Sequence, residues 1–136
     1  MTASPAGVAE ANVAAYWRLI DAFNRSDLET VAAVLDPDIV YTIPGRSPIA
    51  CYTRGLQAHL DALRRVRERS GNTLKLEPLA VTGGGDRVFV YGRISAVREP
   101  KRLDSDHYVV FRFAGGRIVE GITLPVDLYV FDEFWA

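Results

Sequence analysis

Apolar residues recur at helical spacing over the first half of this chain and at a period of two over the second. Val13, Tyr16, Trp17, Ile20 and Phe23 fall on one side of a helix and predict an amphipathic segment. Asn24-Arg25-Ser26-Asp27 interrupts it. Ser26 with Glu29 three positions on matches a capping box, in which two side chains satisfy the free amides of a new helix start. Leu28, Val31, Val34 and Leu35 carry that second helix to Asp36-Pro37, where proline ends it. Alternation of Ile39, Tyr41 and Ile43 with Val40 and Thr42 predicts a short strand over 38–43, and Pro44-Gly45-Arg46-Ser47-Pro48 reads as loop. A third helix follows Gly55, with Leu56, Leu60, Leu63 and Val66 on one face and Gly71 past its end.

From Leu74 the pattern is that of strands. Leu74 and Leu76 open one that Pro78 limits; the glycine-rich 83–86 turn leads to a long strand over 88–97. That glycine run lacks the lysine and following helix of a phosphate loop. Glu99-Pro100-Lys101 turns the chain into a strand over 103–113, and Ala114-Gly115-Gly116-Arg117 returns it as a last strand over 118–129. The whole pattern predicts an α+β fold in one domain over 1–136: three helices packed as a cone on a curved antiparallel sheet, after a flexible N-terminus over 1–10.

The turns set which side chains share a face. A last turn centred on Gly115-Gly116 puts Phe113 opposite Ile118, Phe111 opposite Glu120, Val109 opposite Ile122 and His107 opposite Leu124. A turn centred on Pro100 puts Arg93 opposite His107, Tyr91 opposite Val109 and Phe89 opposite Phe111. One face then carries Phe89, Tyr91, Val97, Val109, Phe111, Phe113, Ile118 and Ile122, together with the polar Arg93, His107 and Glu120. Polar groups on an apolar face need partners or a purpose. Arg93 has the alternative of reaching water at the sheet edge, His107 of being a satisfied core histidine, and Glu120 of pairing with an arginine. Together they point to a polar spot in an apolar cup, the make-up of a small-molecule site.

Composition narrows the classes. The chain has 136 residues, 49% hydrophobic and 24% charged, with a net charge of −1, so it has the make-up of a globular domain and no field to gather nucleic acid or an anionic membrane. The arginines at 64, 65, 67 and 69 are interleaved with Asp61 and Glu68 and read as a solvated helix face. The single cysteine, Cys51, cannot form an internal disulfide, and His59 and His107 are too few for a typical zinc site, so neither metal nor cofactor is expected. With no signal-peptide pattern at the start and no apolar run of about 18 residues, the expected location is the cytoplasm.

The order of elements, with Tyr41-Thr42-Ile43-Pro44-Gly45-Arg46-Ser47-Pro48, Tyr52-Thr53-Arg54-Gly55, Gly116-Arg117-Ile118-Val119-Glu120 and the ending 127–135, resembles the nuclear transport factor 2-like superfamily and in particular its SnoaL-like branch. The superfamily includes ketosteroid isomerase, whose base, oxyanion acid and helix-one tyrosine would here be Ile43, Val109 and Leu19, so that machinery is missing. The Asp-Arg-Asp set of limonene epoxide hydrolase has only Arg102-Leu103-Asp104 as a local echo, beside a turn on the opposite face. SnoaL-like cyclases use a histidine on the penultimate strand and an aspartate toward the end of the last, and the resemblance assigns these acid–base roles to His107 and Asp127.

The expected function is therefore acid–base chemistry, cyclase- or isomerase-type, on a small apolar carbonyl or polyketide-like compound. Asp127 or Glu120 would be the base and His107 or Arg93 the oxyanion partner, with Trp17, Tyr41, Tyr91, Val109, Phe111 and Ile122 as walls. The alternatives are a non-catalytic ligand-binding or interaction module and, further off, an epoxide hydrolase. Tyr108, Val110 and Val119 on the outer sheet face predict a homodimer.

Overall fold

A computed structural model, which describes residues 5–136, realises the two-residue period as four long strands: β3 (Lys75–Gly84), β4 (Arg87–Arg98), β5 (Lys101–Ala114) and β6 (Arg117–Pro125). With β1 (Leu35–Ile43) and β2 (Cys51–Arg54) they form one six-stranded sheet in the order β2-β1-β6-β5-β4-β3. β1 runs parallel to β6, and all other neighbours are antiparallel. Four helices complete an α+β fold: α1 (Pro5–Asn24), α2 (Leu28–Val34), α3 (Leu56–Arg69) and α4 (Leu128–Trp135). Among the described residues, no helix is long and apolar enough to cross a membrane.

Burial along β4 alternates strictly from Val88 to Ala96, so one face of the sheet is covered and the other is not. The covered face packs on α1 and α2 through Tyr16, Leu19, Ile20, Phe23 and Val31. A second apolar cluster joins Ile94, Ala96 and Leu103 of the sheet to Val66 of α3 and to Phe131, Phe134 and Trp135 of α4.

Several boundaries differ from the expectation. α1 begins at Pro5, so residues 5–10 are helical rather than a flexible lead; residues 1–4 lie outside the described residues. The cap of α2 is Asp27, which accepts from the Thr30 amide at 3.2 Å, because Ser26 adopts a left-handed backbone (φ 61°) and is turned out of the capping position. β1 starts at Leu35 and runs through Pro37. β3 absorbs Pro78 in a register shift and continues to Gly84. The last strand stops at Pro125, and 128–135 is helix, not strand. Asp127 caps it by accepting from the Val130 amide at 3.1 Å, and Phe131, Phe134 and Trp135 give it a buried face.

Both hairpin registers also differ, each by one residue. Glu99-Pro100 makes a two-residue turn, with Arg98 opposite Lys101, so Arg93 faces Asp106, Tyr91 faces Tyr108 and Phe89 faces Val110. After Phe113–Ile118, which pair as expected, Val119 is an extra residue in β6. From there Arg112 faces Glu120, Val110 faces Ile122 and Tyr108 faces Leu124. A one-residue slip exchanges the faces of a strand. Phe89, Tyr91, Arg93, Glu120 and Ile122 therefore lie on the uncovered face, while Val88, Val90, His107, Val109, Phe111 and Ile118 are buried on the covered one.

Candidate functional site

Between the helices and the covered face lies a cavity of about 110 Å³. α1 walls it with Tyr16, Leu19, Ile20 and Phe23, and α3 contributes His59, Leu63 and Val66. The sheet supplies Tyr41, His107, Val109, Phe111 and Thr123, and α4 closes one side with Phe131 and Trp135. Gly121 makes this floor possible. A Cβ there would lie 2.6 Å from the Tyr41 ring and 3.0 Å from Phe111, so only glycine lets Tyr41 lie across β6.

Among the described residues, no Asp, Glu, Lys or Arg lines the cavity; its polar groups are all uncharged types. The Tyr41 and Thr123 hydroxyls are 2.6 Å apart and satisfy one another. Burial pushes the Tyr41 phenol up to about 12 and Tyr16 higher still. His59 and His107 are 5% and 4% exposed, and desolvation lowers both to about 4, so both are neutral imidazoles at pH 7. Asp106, next to His107 in the chain, pulls weakly the other way. His59 packs on Tyr41 with ring centres 4.8 Å apart.

Three nitrogens on cavity-lining side chains are buried without a hydrogen-bond partner: Nδ1 of His59, Nδ1 of His107 and Nε1 of Trp135. Each such atom costs about 1–3 kcal/mol. With no protein partner on Nδ1, neither imidazole is held to one tautomer from that side. Each neutral ring offers one donor and one acceptor.

Of the residues singled out from sequence, His107, Tyr41, Val109 and Phe111 are brought together here. The others are not. Arg93 is on the outer face, paired with Asp106 at 2.9 Å and with Asp104. Tyr91 is beside it and donates to Asp106 at 2.8 Å. Glu120 meets Arg112 at 3.4 Å on the same outer face, and Ile122 lies opposite Val110 there. The shifted registers explain all four. Asp127 is exposed and occupied as the cap of α4, and Trp17 is 46% exposed because the α1 stripe turns its neighbour Tyr16 inward.

His59, Tyr16, Thr123 and the α4 aromatics were missed. His59 was legible: it falls on the stripe of Leu56, Leu63 and Val66 at spacings of three and four. Leu128, Phe131 and Trp135 after a capping aspartate likewise carried a helix signal. Thr123 had none, since only the extra residue at Val119 turns it inward.

The profile of the SnoaL-like domain matches residues 16–121, most of the fold just described. The chain belongs to the SnoaL-like domain family. Bal32a, from a soil-derived mobile gene cassette, has a solved structure 36% identical to this chain, with a TM-score of 0.92 over 95% of this chain and 99% of that one. An uncharacterized protein of Mycobacterium tuberculosis is 29% identical over 121 residues, covering 88% of this chain and 92% of its own. A putative SnoaL-like polyketide cyclase from Jannaschia sp. CCS1 shares the fold at 18% identity, with a TM-score of 0.81 over 100% of this chain and 98% of that one. Within this SnoaL-like frame the penultimate-strand histidine, His107, faces the cavity, whereas among the described residues no carboxylate joins it there.

Proposed function

We propose that this SnoaL-like protein is an acid–base catalyst, of the isomerase or cyclase type, acting on a small, largely apolar carbonyl compound held in the internal cavity. The pair of desolvated imidazoles, His59 and His107, on an otherwise apolar wall carries this reading. Proton transfer beside a carbonyl needs an acceptor for the α-proton and a donor for the oxygen that becomes an enolate. Two neutral imidazoles supply one of each. One ring takes the proton from carbon and becomes an imidazolium while the N–H of the other holds the oxygen; the imidazolium exchanges its proton with solvent, and reversal of the transfer then returns a solvent-derived proton. Negative charge developing on the substrate raises the basicity of the ring beside it, which offsets the low intrinsic value near 4.

The test is deuterium exchange at the α-carbon of cyclohexanone in D2O, followed by NMR. Either His59→Gln or His107→Gln is expected to cut the catalysed rate on the order of 10²–10⁴-fold. Asp127→Asn and Glu120→Gln are expected to leave it unchanged, because both carboxylates lie outside the cavity and asparagine is itself a good helix cap. Loss of exchange in Asp127→Asn with a native melting curve would overturn the assignment of the imidazoles.

Two observations favour a second reading, ligand binding without turnover: among the described residues no carboxylate lines the cavity, and imidazoles near pKa 4 are weak bases. Binding of cyclohexanone with no exchange above background would establish it. An epoxide-opening reading has no counterpart to its carboxylate–arginine set on the cavity wall.

The reading includes a homodimer through the uncovered sheet face. Phe89, Tyr108 and Leu124 are 42%, 50% and 41% exposed there and adjoin Val110 and Ile122, an apolar surface of the kind that pairs between chains. Sedimentation at micromolar concentration is expected to give twice the 15.0 kDa chain mass, and Tyr108→Arg to return it to the monomer. A wild-type protein that sediments as a monomer would remove the dimer.

A further inference from the structure

The cavity carries information about the size and charge of what fills it. We infer that its ligand is a single-ring, uncharged compound bearing one carbonyl or hydroxyl group, and that polycyclic and anionic compounds are excluded. This inference rests on the cavity being the functional site and narrows the class of compound proposed above.

Size comes first. An engineered cavity of about 150 Å³ lined by aliphatic and aromatic side chains admits benzene. At about 110 Å³ this one holds roughly one compact ring and little more. Its walls do not yield easily: Phe131 and Trp135 are 2% and 0% exposed and edge-packed at 6.2 Å, and the C-terminal turn of α4 is held by three cations. Arg69 donates to the Trp135 carbonyl at 2.7 Å, Arg98 to the Phe134 carbonyl at 2.6 Å and Lys101 to the Glu133 carbonyl at 2.7 Å. These bonds sit where a helix end attracts positive charge. A fused second ring on the α4 side would have to displace that plug.

Charge comes second. The ion pairs of Arg93 with Asp104 and Asp106, and of Arg112 with Glu120, lie on the other face of the sheet. A buried ammonium on the ligand would therefore meet no anion, and a buried carboxylate no fixed cation, only imidazoles that the fold keeps neutral, so either costs far more to bury than a neutral group. The number of polar substituents follows from the wall itself. Tyr41 and Thr123 already spend their hydroxyls on each other. Nδ1 of His59, Nδ1 of His107 and Nε1 of Trp135 are sealed from the void as well as unpartnered, so the polar edge left to a ligand is the other nitrogen of an imidazole, and one neutral oxygen answers it.

The experiment is a matched panel read by thermal shift and by histidine ring resonances: benzene, phenol and cyclohexanone, against benzoate and cyclohexanecarboxylate, and against 2-naphthol. The neutral single rings are expected to raise the melting temperature and move the His59 and His107 signals, with phenol and cyclohexanone about tenfold tighter than benzene, the ratio expected of one net hydrogen bond. The carboxylates and 2-naphthol are expected to do neither. His107→Leu is expected to keep benzene and lose the advantage of phenol; should that variant fail to fold, the wild-type ratios decide by themselves. Binding of benzoate or 2-naphthol as tightly as phenol would overturn the inference while leaving the acid–base reading standing. Tight binding of the neutral rings with no α-proton exchange would support the inference and sink the acid–base reading. Absence of any shift, benzene included, would overturn both.

Discussion

Lowering the pH from 7 to about 4.5 is expected to remove several kcal/mol of stability, through the two cavity histidines. In the unfolded chain each titrates near 6.5; in the fold burial lowers both to about 4. Because the folded values lie below the unfolded ones, the unfolded chain binds more protons throughout this window, so stability falls as pH falls. It is fully present above about 6.5 and lost progressively down to about 4. For a shift of this size each histidine loses about 2–3 kcal/mol by pH 4.5. Against total stabilities of about 5–15 kcal/mol for ordinary domains, the pair takes a large share. Urea-denaturation midpoints at pH 7 and 4.5 measure the loss, and His59→Gln or His107→Gln is expected to remove about half of it. A midpoint indifferent to pH over this range would mean that the imidazoles are not desolvated and that the cavity is open to water.

Replacing Trp135 by alanine is the second large effect expected. Trp135 is fully buried, meets Phe134 edge-on at 4.8 Å and Phe131 at 6.2 Å, and lines the cavity. Truncation of a buried aromatic side chain costs about 3–5 kcal/mol, from lost transfer energy and from the space left behind. Here that space adjoins an existing void, so collapse around it is hindered and the upper end is expected. Urea denaturation at pH 7 gives the number. The variant also enlarges the cavity, so 2-naphthol is expected to bind the variant and not the wild type. A loss under about 1 kcal/mol would show that α4 is peripheral rather than a plug. Asp132 gives α4 a further anchor by accepting from the Arg46 amide at 3.0 Å. Gly45 permits that approach, since a Cβ there would fall 2.1 Å from the Asp132 carboxylate.

The periodicities by themselves determined the class of fold and most of its elements. A helical stripe or a two-residue alternation is a property of neighbours in sequence, and Val13 to Phe23, Leu56 to Val66 and Val88 to Val97 each carry enough repeats to be unambiguous. His107 as a polar residue on an apolar strand was equally plain. What those periods do not carry is phase between strands. Whether Glu99-Pro100 alone or Glu99-Pro100-Lys101 forms the turn, and whether Val119 is an extra residue in β6, are decided by how the strands twist and pack under the helices. Those two choices moved Arg93, Tyr91, Glu120 and Ile122 out of the site and Thr123 into it. The same holds for Asp127: a carboxylate after a strand-breaking proline reads alike as a base or as a cap, until α4 folds back and claims it. Sequence thus determined that an apolar enclosure with a histidine exists. Only the tertiary structure decided that a second histidine and, among the described residues, no carboxylate lines that enclosure with it, because faces are assigned by registers and by helix packing, which are set by contacts between segments far apart in the chain.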